Sequence, residues 1–323
     1  MKFPHHMLAC IGISLMTSVA VAQQPGNPVE LKIRQARQNP FASEKMLLAA
    51  THAGDTDRIV AVGDHGTVLV SDDGKHFHQA RSVPVRSTLT SVSFADTKNG
   101  WAVGHWGVIL NTNDGGETWA LQRSDTTVDR PFFAVHFMDD QHGVAAGLWS
   151  LLMTTNDGGK TWNEVKLDPP PEAKKADRNL FGIFRAGNSL FIPAERGLVL
   201  RSDDQGLTWK YLETGYAGSL WCGIALSNDT ILVGGLRGTI YRSDDNGKKW
   251  LLVSSGTKSS ITGFTRTGNK IVAVGLDGVV ATSSDQGFSF QAIQREDRLA
   301  LTAVVGSQPL GISKHGILVD LLK

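Results

Sequence analysis

NTNDGGETW, residues 111–119, combines an aspartate, two adjacent glycines and a closing tryptophan, and a near copy, TTNDGGKTW, occupies 154–162. The same element, a Ser or Thr followed by Asp, Gly and an aromatic, recurs from Ser71 to Phe77, Ser202 to Trp209, Ser243 to Trp250 and Ser283 to Phe290. The closing aromatics are 42, 43, 47, 41 and 40 residues apart. A steady period near forty marks a repeat architecture, in which each unit buries its apolar face only against its neighbours.

Working outward from the turn gives the unit. A run such as GWAVGHWGVILNT, 100–112, precedes it and divides into two short β-rich segments around a glycine turn, and LTSVSF, 89–94, lies before that. With the segment after the turn, each repeat holds about four strands. Four-stranded repeats of this length match the blades of a β-propeller, which leaves few exposed edges. First strands are placed near Met46, Leu89, Phe133, Phe181, Trp221, Ile261 and Leu301, so the expected fold is all-β with seven blades. The seventh unit, LTAVVGSQPLGISKHGILVDL, stops after three strands, and VELKIR, 29–34, is expected to supply the fourth as a clasp.

In this reading the turns between third and fourth strands are structural. Asp73, Asp114, Asp157, Asp204, Asp245 and Asp285 accept backbone N–H bonds across them, glycine takes the positive φ angles, and the aromatic fills the gap between blades.

Composition agrees with one folded body. The chain has 323 residues, 41% hydrophobic and 20% charged, with 35 glycines and a net charge of +1. That balance excludes a global pull toward nucleic acid or anionic membrane and leaves only local patches. Residues 1–22 read as a secretory signal, with Lys2, an apolar run from Met7 to Ala22 too short for a comfortable membrane span, and Ala20-Val21-Ala22 before the cut. Residues 23–44 are then the segment closing the last blade, and 45–323 the propeller. Cys10 sits too early for a lipoprotein signal, and Cys222 alone remains after cleavage, so no internal disulfide can form. The destination is the periplasm, or the thylakoid lumen if the source is photosynthetic.

The S/T-x-D-x-G-x-T-W element resembles the Asp-box, or BNR repeat. Combined with WAVGHWGVILNTNDGG, 101–116, and VGGLRGTIYRSDDNG, 233–247, it is similar to the propellers of the photosystem II stability and assembly factor family, over nearly the whole mature chain. The turns GLRG, 235–238, and ERG, 195–197, are the more family-like feature, since Asp-boxes also occur in sialidases. The first box is one residue short and the last unit has none. The resemblance implies a non-enzymatic factor that binds a membrane protein complex.

The alternative is a carbohydrate-active or carbohydrate-binding propeller. Sialidase chemistry needs an arginine cluster, a tyrosine nucleophile with a glutamate, and an aspartate acid. Here the Phe-Arg-Ile-Pro motif is absent, FGIFRAG at 181–187 lacks the proline, and the only tyrosines are Tyr211, Tyr216 and Tyr241. No catalytic residue is assigned. His76 and His78 read as a solvated strand edge, no phosphate loop has the required spacing, and neither metal nor cofactor is expected.

The repeat also supplies a register. Loops joining second to third strands share one face with the connectors between blades, and the aspartate turns lie on the other. The loops carry His65, His105, Trp106, Trp149, Glu195, Arg196, Arg237, Asp277, Lys314 and His315. The connectors carry Arg86, Arg130, Arg178, Lys258 and Arg298, each three residues before the first apolar residue assigned to an inner strand, with Gly218 breaking the series. The candidate partner-binding set is Arg86, His105, Trp106, Arg130, Trp149, Arg178, Arg196, Arg237, Lys258, Arg298, Lys314 and His315. A basic, aromatic-rimmed face of this kind suits a carboxylate-rich segment of a membrane protein complex. The protein itself is expected to be monomeric, not membrane-spanning, and without affinity for nucleic acid.

Overall fold

The computed structural model describes residues 34–171, 173–319 and 321. They form seven antiparallel sheets, six of four strands and one of three, each with its strands in sequence order. Blade 1 spans 47–79, blade 2 89–123, blade 3 132–164, blade 4 184–213, blade 5 220–253, blade 6 261–294 and blade 7 301–318. This is the seven-bladed propeller that the period implies.

Burial explains the strand composition. Second strands such as IVAVG (Ile59–Gly63), GWAVG (Gly100–Gly104) and ILVGG (Ile231–Gly235) are buried along their whole length. A sheet held between two neighbours has no wet face, so these strands read as apolar runs rather than alternations. First strands pack on one another around the axis, and fourth strands are short and mostly exposed, as in His78–Gln79 and Asn163–Glu164.

The ring closes between blades 7 and 1. The Thr302 hydroxyl donates to the Leu47 carbonyl at 2.8 Å, and a Cβ on Gly316 would collide with the Ser43 carbonyl. Blade 7 has three strands among the described residues. The expected clasp lies, except for Arg34, outside them. The neighbouring segment 35–39 runs along blade 1 and the connector to blade 2, with Ala36 N–H bonded to Val83 O at 2.9 Å and Gln79 Nε2 to Arg37 O at 2.9 Å.

Two irregularities recur or stand out in the first strands. The second residue is bulged in six blades, at Leu48, Thr90, Phe133, Trp221, Thr262 and Thr302. Blade 4 begins its regular first strand only at Phe184, after an isolated bridge between Leu180 and Ala194. Pro193 in the adjacent strand has no N–H to continue the ladder.

The aspartate turns are hydrogen-bonded boxes. Asp114 Oδ1 accepts from the Thr112 hydroxyl at 2.9 Å and the Thr118 amide at 2.9 Å, while Oδ2 accepts from the Thr118 hydroxyl at 2.7 Å. Asp157, Asp204 and Asp285 repeat the pattern; Asp245 lacks the last bond because Lys249 replaces the hydroxyl residue. In the short first box Asp73 bonds the Lys75 and His76 amides and the His76 ring. His76 and His78 engage separate carboxylates, Asp73 at 2.6 Å and Glu117 at 3.0 Å.

The boxes give stability a pH dependence. Bonds from the Thr161 hydroxyl and then its amide hold the Asp157 carboxyl down at about 2, and those from Ser289 and Ser283 hold Asp285 well below the carboxylate range. Folded values lie below the unfolded value of about 3.9, so this stabilisation is complete above that pH and is lost as pH falls through the folded values. Thermal melts are expected to decline from about pH 4 to pH 2, less steeply in Asp157→Asn. Parallel declines in the two proteins would remove Asp157 as a source of the effect.

Arginines tie neighbouring boxes together, which the sequence did not reveal. Arg58 donates to Gly115 O at 2.8 Å, Arg201 to Asn246 O at 3.0 Å, and Arg242 to Gln286 O, in each case reaching the turn of the next blade. Arg242 is buried, pairs with Asp244 and lies 4.1 Å from the centroid of the Phe288 ring. Arg242→Met leaves the Gln286 carbonyl without that donor and is expected to cost about 1–3 kcal/mol in urea unfolding. A loss near zero would show that water replaces the arginine.

Candidate docking face

In blades 1 to 6 the second strand meets the third through a short loop with an unusual backbone. In Asp64–Gly66 the Thr67 amide bonds Asp64 O at 3.0 Å, while His65 has φ 56 and Gly66 φ 70. Two successive positive φ values give the loop type I′ character, which matches the twist of the strands. The first central position is His65, Trp106, Trp149, Arg196, Arg237 and Asp277 in blades 1 to 6, with φ between 52 and 62. Glycine or asparagine is the favoured residue there, and the left-handed conformation costs other residues about 1–2 kcal/mol. The turns thus carry large or charged side chains at a conformational cost.

In blades 1, 4, 5 and 6 the second central position must be small because the connector to the next blade lies on it. A Cβ on Gly66 would sit 2.1 Å from Val85 O, and one on Gly238 2.2 Å from Thr257 O. Blade 3 has Ser150 here, whose amide bonds Arg178 O at 2.7 Å and whose hydroxyl accepts from Arg178 N–H at 3.1 Å. Loops and connectors therefore meet at one end of each blade, and the aspartate turns occupy the other end of the third strand.

The twelve candidate residues all lie at the loop end, in different environments. Trp149, at 57% exposure, and Arg196, Arg237, Lys258, Arg298, Lys314 and His315 are exposed. Arg86 is half-buried. Trp106 is half-buried against the apolar cluster containing Val85 and Val108. His105 bonds Asp129 at 2.9 Å, Arg130 faces Glu164 at 3.5 Å, and Arg298 lies 3.9 Å from Asp277. Arg178 departs most from the expected open rim. Its side chain is only 13% exposed and is turned onto the neighbouring Asp177 at 2.6 Å.

Carboxylates at this end are largely engaged within the fold. Asp64 accepts from the His65 amide and the Thr88 hydroxyl, Asp129 from the Trp106 amide and the His105 ring, and Glu195 from Asn179. Among the described residues Arg86, Arg196, Arg237, Lys258 and Lys314 form no ion pair. Arg196, Arg237 and Lys258 follow one another on blade 4, blade 5 and the connector to blade 6.

The strained turns permit a test that separates fold from function. Arg237→Gly relieves a left-handed residue, offset in part by the greater freedom of glycine in the unfolded chain. The melting temperature is expected to hold or rise by a degree or two while partner binding weakens. A clear fall in melting temperature would mean that the guanidinium supports the fold.

In the sequence Phe133, Phe181 and Trp221 read only as strand starts. The structure makes them half-exposed residues at the loop end, Phe133 and Trp221 in the first strands of blades 3 and 5 and Phe181 just ahead of that of blade 4, and Phe133 stacks on Phe181 with centroids 5.8 Å apart. Three aromatics at one register position in consecutive units were the available signal.

A family model described as photosynthesis system II assembly factor YCF48 matches residues 75–132 and 121–296. Comparison with the curated proteins gives no match. Among solved structures, YCF48 bound to D1 peptide is 17% identical, with a TM-score of 0.69 over 88% of this chain and 98% of that one. YCF48 from Cyanidioschyzon merolae is 16% identical, with a TM-score of 0.67 over 88% and 97%.

Proposed function

From the premise that the chain belongs to the photosynthesis system II assembly factor YCF48 family, we propose that it is a non-enzymatic binding and assembly factor whose loop face docks an acidic exported segment of a membrane protein complex. The observation that carries this reading is the run of exposed Arg196, Arg237 and Lys258, unpaired among the described residues while neighbouring carboxylates are engaged within the fold. Arginine pairs bidentately with carboxylates and is enriched at binding hot spots. A peptide partner in one structure of the same fold supports a peptide partner here.

The carbohydrate alternative has less support. Tyr211 and Tyr216 hydroxyls donate to the backbone carbonyls of Asp168 at 2.9 Å and Leu236 at 3.0 Å, roles that bind loops together rather than poise a nucleophile. In the proposal residues 1–22 direct export, to the periplasm or a thylakoid lumen, and the protein acts as a monomer without nucleic acid. No helix among the described residues is long and apolar enough to cross a membrane.

The test is a pull-down from detergent-solubilised envelope with chain 23–323 as bait, eluted by a salt gradient. Salt shortens the screening length from about 10 Å at 0.1 M to about 3 Å at 1 M. One membrane complex is expected to be retained at low salt and released along the gradient. Retention that ignores salt, or no specific cargo, would overturn the acidic-segment reading.

A further inference from the structure

The register position just inside each first strand divides around the ring. Thr90, Thr262 and Thr302 turn their hydroxyls onto the next blade, donating to Phe132 O at 2.6 Å, Leu301 O at 2.8 Å and Leu47 O at 2.8 Å. On blades 3 and 5 the position holds Phe133 and Trp221, and on blade 4 Phe181 holds the equivalent place beside the Leu180–Ala194 bridge, ahead of the regular first strand. The position lies at the loop end: Leu220 pairs with Gly235, the last residue before the Leu236–Gly238 loop, and Trp221 is the bulged residue beside it. Phe133 and Phe181 stack across two blades with planes 16° apart, so rings and not hydroxyls join this part of the wall. All three remain half-exposed.

Trp149 on the blade 3 loop, and Arg196 and Arg237 on the loops of blades 4 and 5, belong to the same three blades. An apolar arc with unpaired guanidiniums on its own blades combines the two commonest kinds of hot-spot anchor.

We infer that Phe133, Phe181 and Trp221 form a socket for one bulky apolar side chain of the docked segment, with carboxylates on either side of that residue meeting Arg196 and Arg237. The inference rests on the docking reading and narrows it, because the partner then lies over blades 3 to 5 and is acidic with an apolar anchor.

The experiment uses chain 23–323 and fluorescein-labelled nine-residue peptides, four aspartates on each side of a central Phe, Leu or Ala, read by anisotropy. Phe or Leu at the centre is expected to bind about tenfold more tightly than Ala, the yield of one filled hot spot. Phe181→Ala with Trp221→Ala should remove that preference while leaving the weaker Ala-centred binding and its salt dependence. Since the double variant can lose its fold, a second measurement uses a 4-iodophenylalanine centre, which should quench tryptophan emission in the wild type and less in Trp221→Phe. Equal affinity for Phe and Ala centres with salt-sensitive binding retained would overturn the socket and leave the docking reading. No salt-sensitive binding of any acidic peptide would remove both. Sedimentation showing a dimer that Trp221→Ala dissolves would assign the arc to a second copy and overturn the peptide socket.

Discussion

Trp119→Ala is expected to lower the unfolding free energy by about 3–5 kcal/mol, as deletion of a buried aromatic does. The ring closes the box NTNDGGETW, is 6% exposed, and packs in one cluster with Val60 and Val70 of blade 1 and Val92 and Leu110 of blade 2. Phe94 meets it edge-on at 6.4 Å, and its Nε1–H donates to Gly116 O at 2.9 Å. Alanine leaves a void between two blades and a buried carbonyl without its donor, and close-packed sheets relax only partly into such a void. Urea unfolding measures the loss. Trp162 provides the internal comparison: it is half-buried and its Nε1 has no partner among the described residues, so Trp162→Ala should cost less. Partner affinity should be unchanged in either variant while it stays folded, because the boxes lie at the end of the blades away from the loops. A loss below 1 kcal/mol for Trp119→Ala would refute the interblade role.

Arg196→Glu combined with Arg237→Glu is expected to weaken partner binding by about 100- to 1000-fold, corresponding to about 3–4 kcal/mol. Both residues sit at the apex of type I′ loops on adjacent blades and neither forms an ion pair among the described residues, so reversal turns two attractions into two repulsions. The fold should be nearly indifferent, since exposed charges seldom contribute more than about 1 kcal/mol each. Binding measured against salt should lose most of its slope. Unchanged affinity with an intact melting temperature would remove the loop face as the docking site, whatever happened to the apolar arc.

Much of this could be read locally. The spacing of the aspartate boxes gave the period and the blade, and the count of first strands gave the number of blades, because a hairpin's turn chemistry is held in neighbouring residues. The same periodicity put His65, Trp106, Trp149, Arg196, Arg237 and Asp277 in one register, and the loops indeed occupy a common end. Other features depended on partners distant in sequence. Arg178 and Arg196 are equally basic in the chain, yet the side chain of one is only 13% exposed in the folded ring while the other stands clear. Arg58, Arg201 and Arg242 find their acceptors 57, 45 and 44 residues away in the next blade. Strand bulges, the broken first strand beside Pro193 and the stacking of Phe133 on Phe181 likewise follow from strand pairing and the meeting of adjacent sheets. Turn type follows from a few neighbouring φ and ψ angles, so the chain specifies it by itself. Whether a charge is free or a ring exposed is settled by what the folded ring brings beside it.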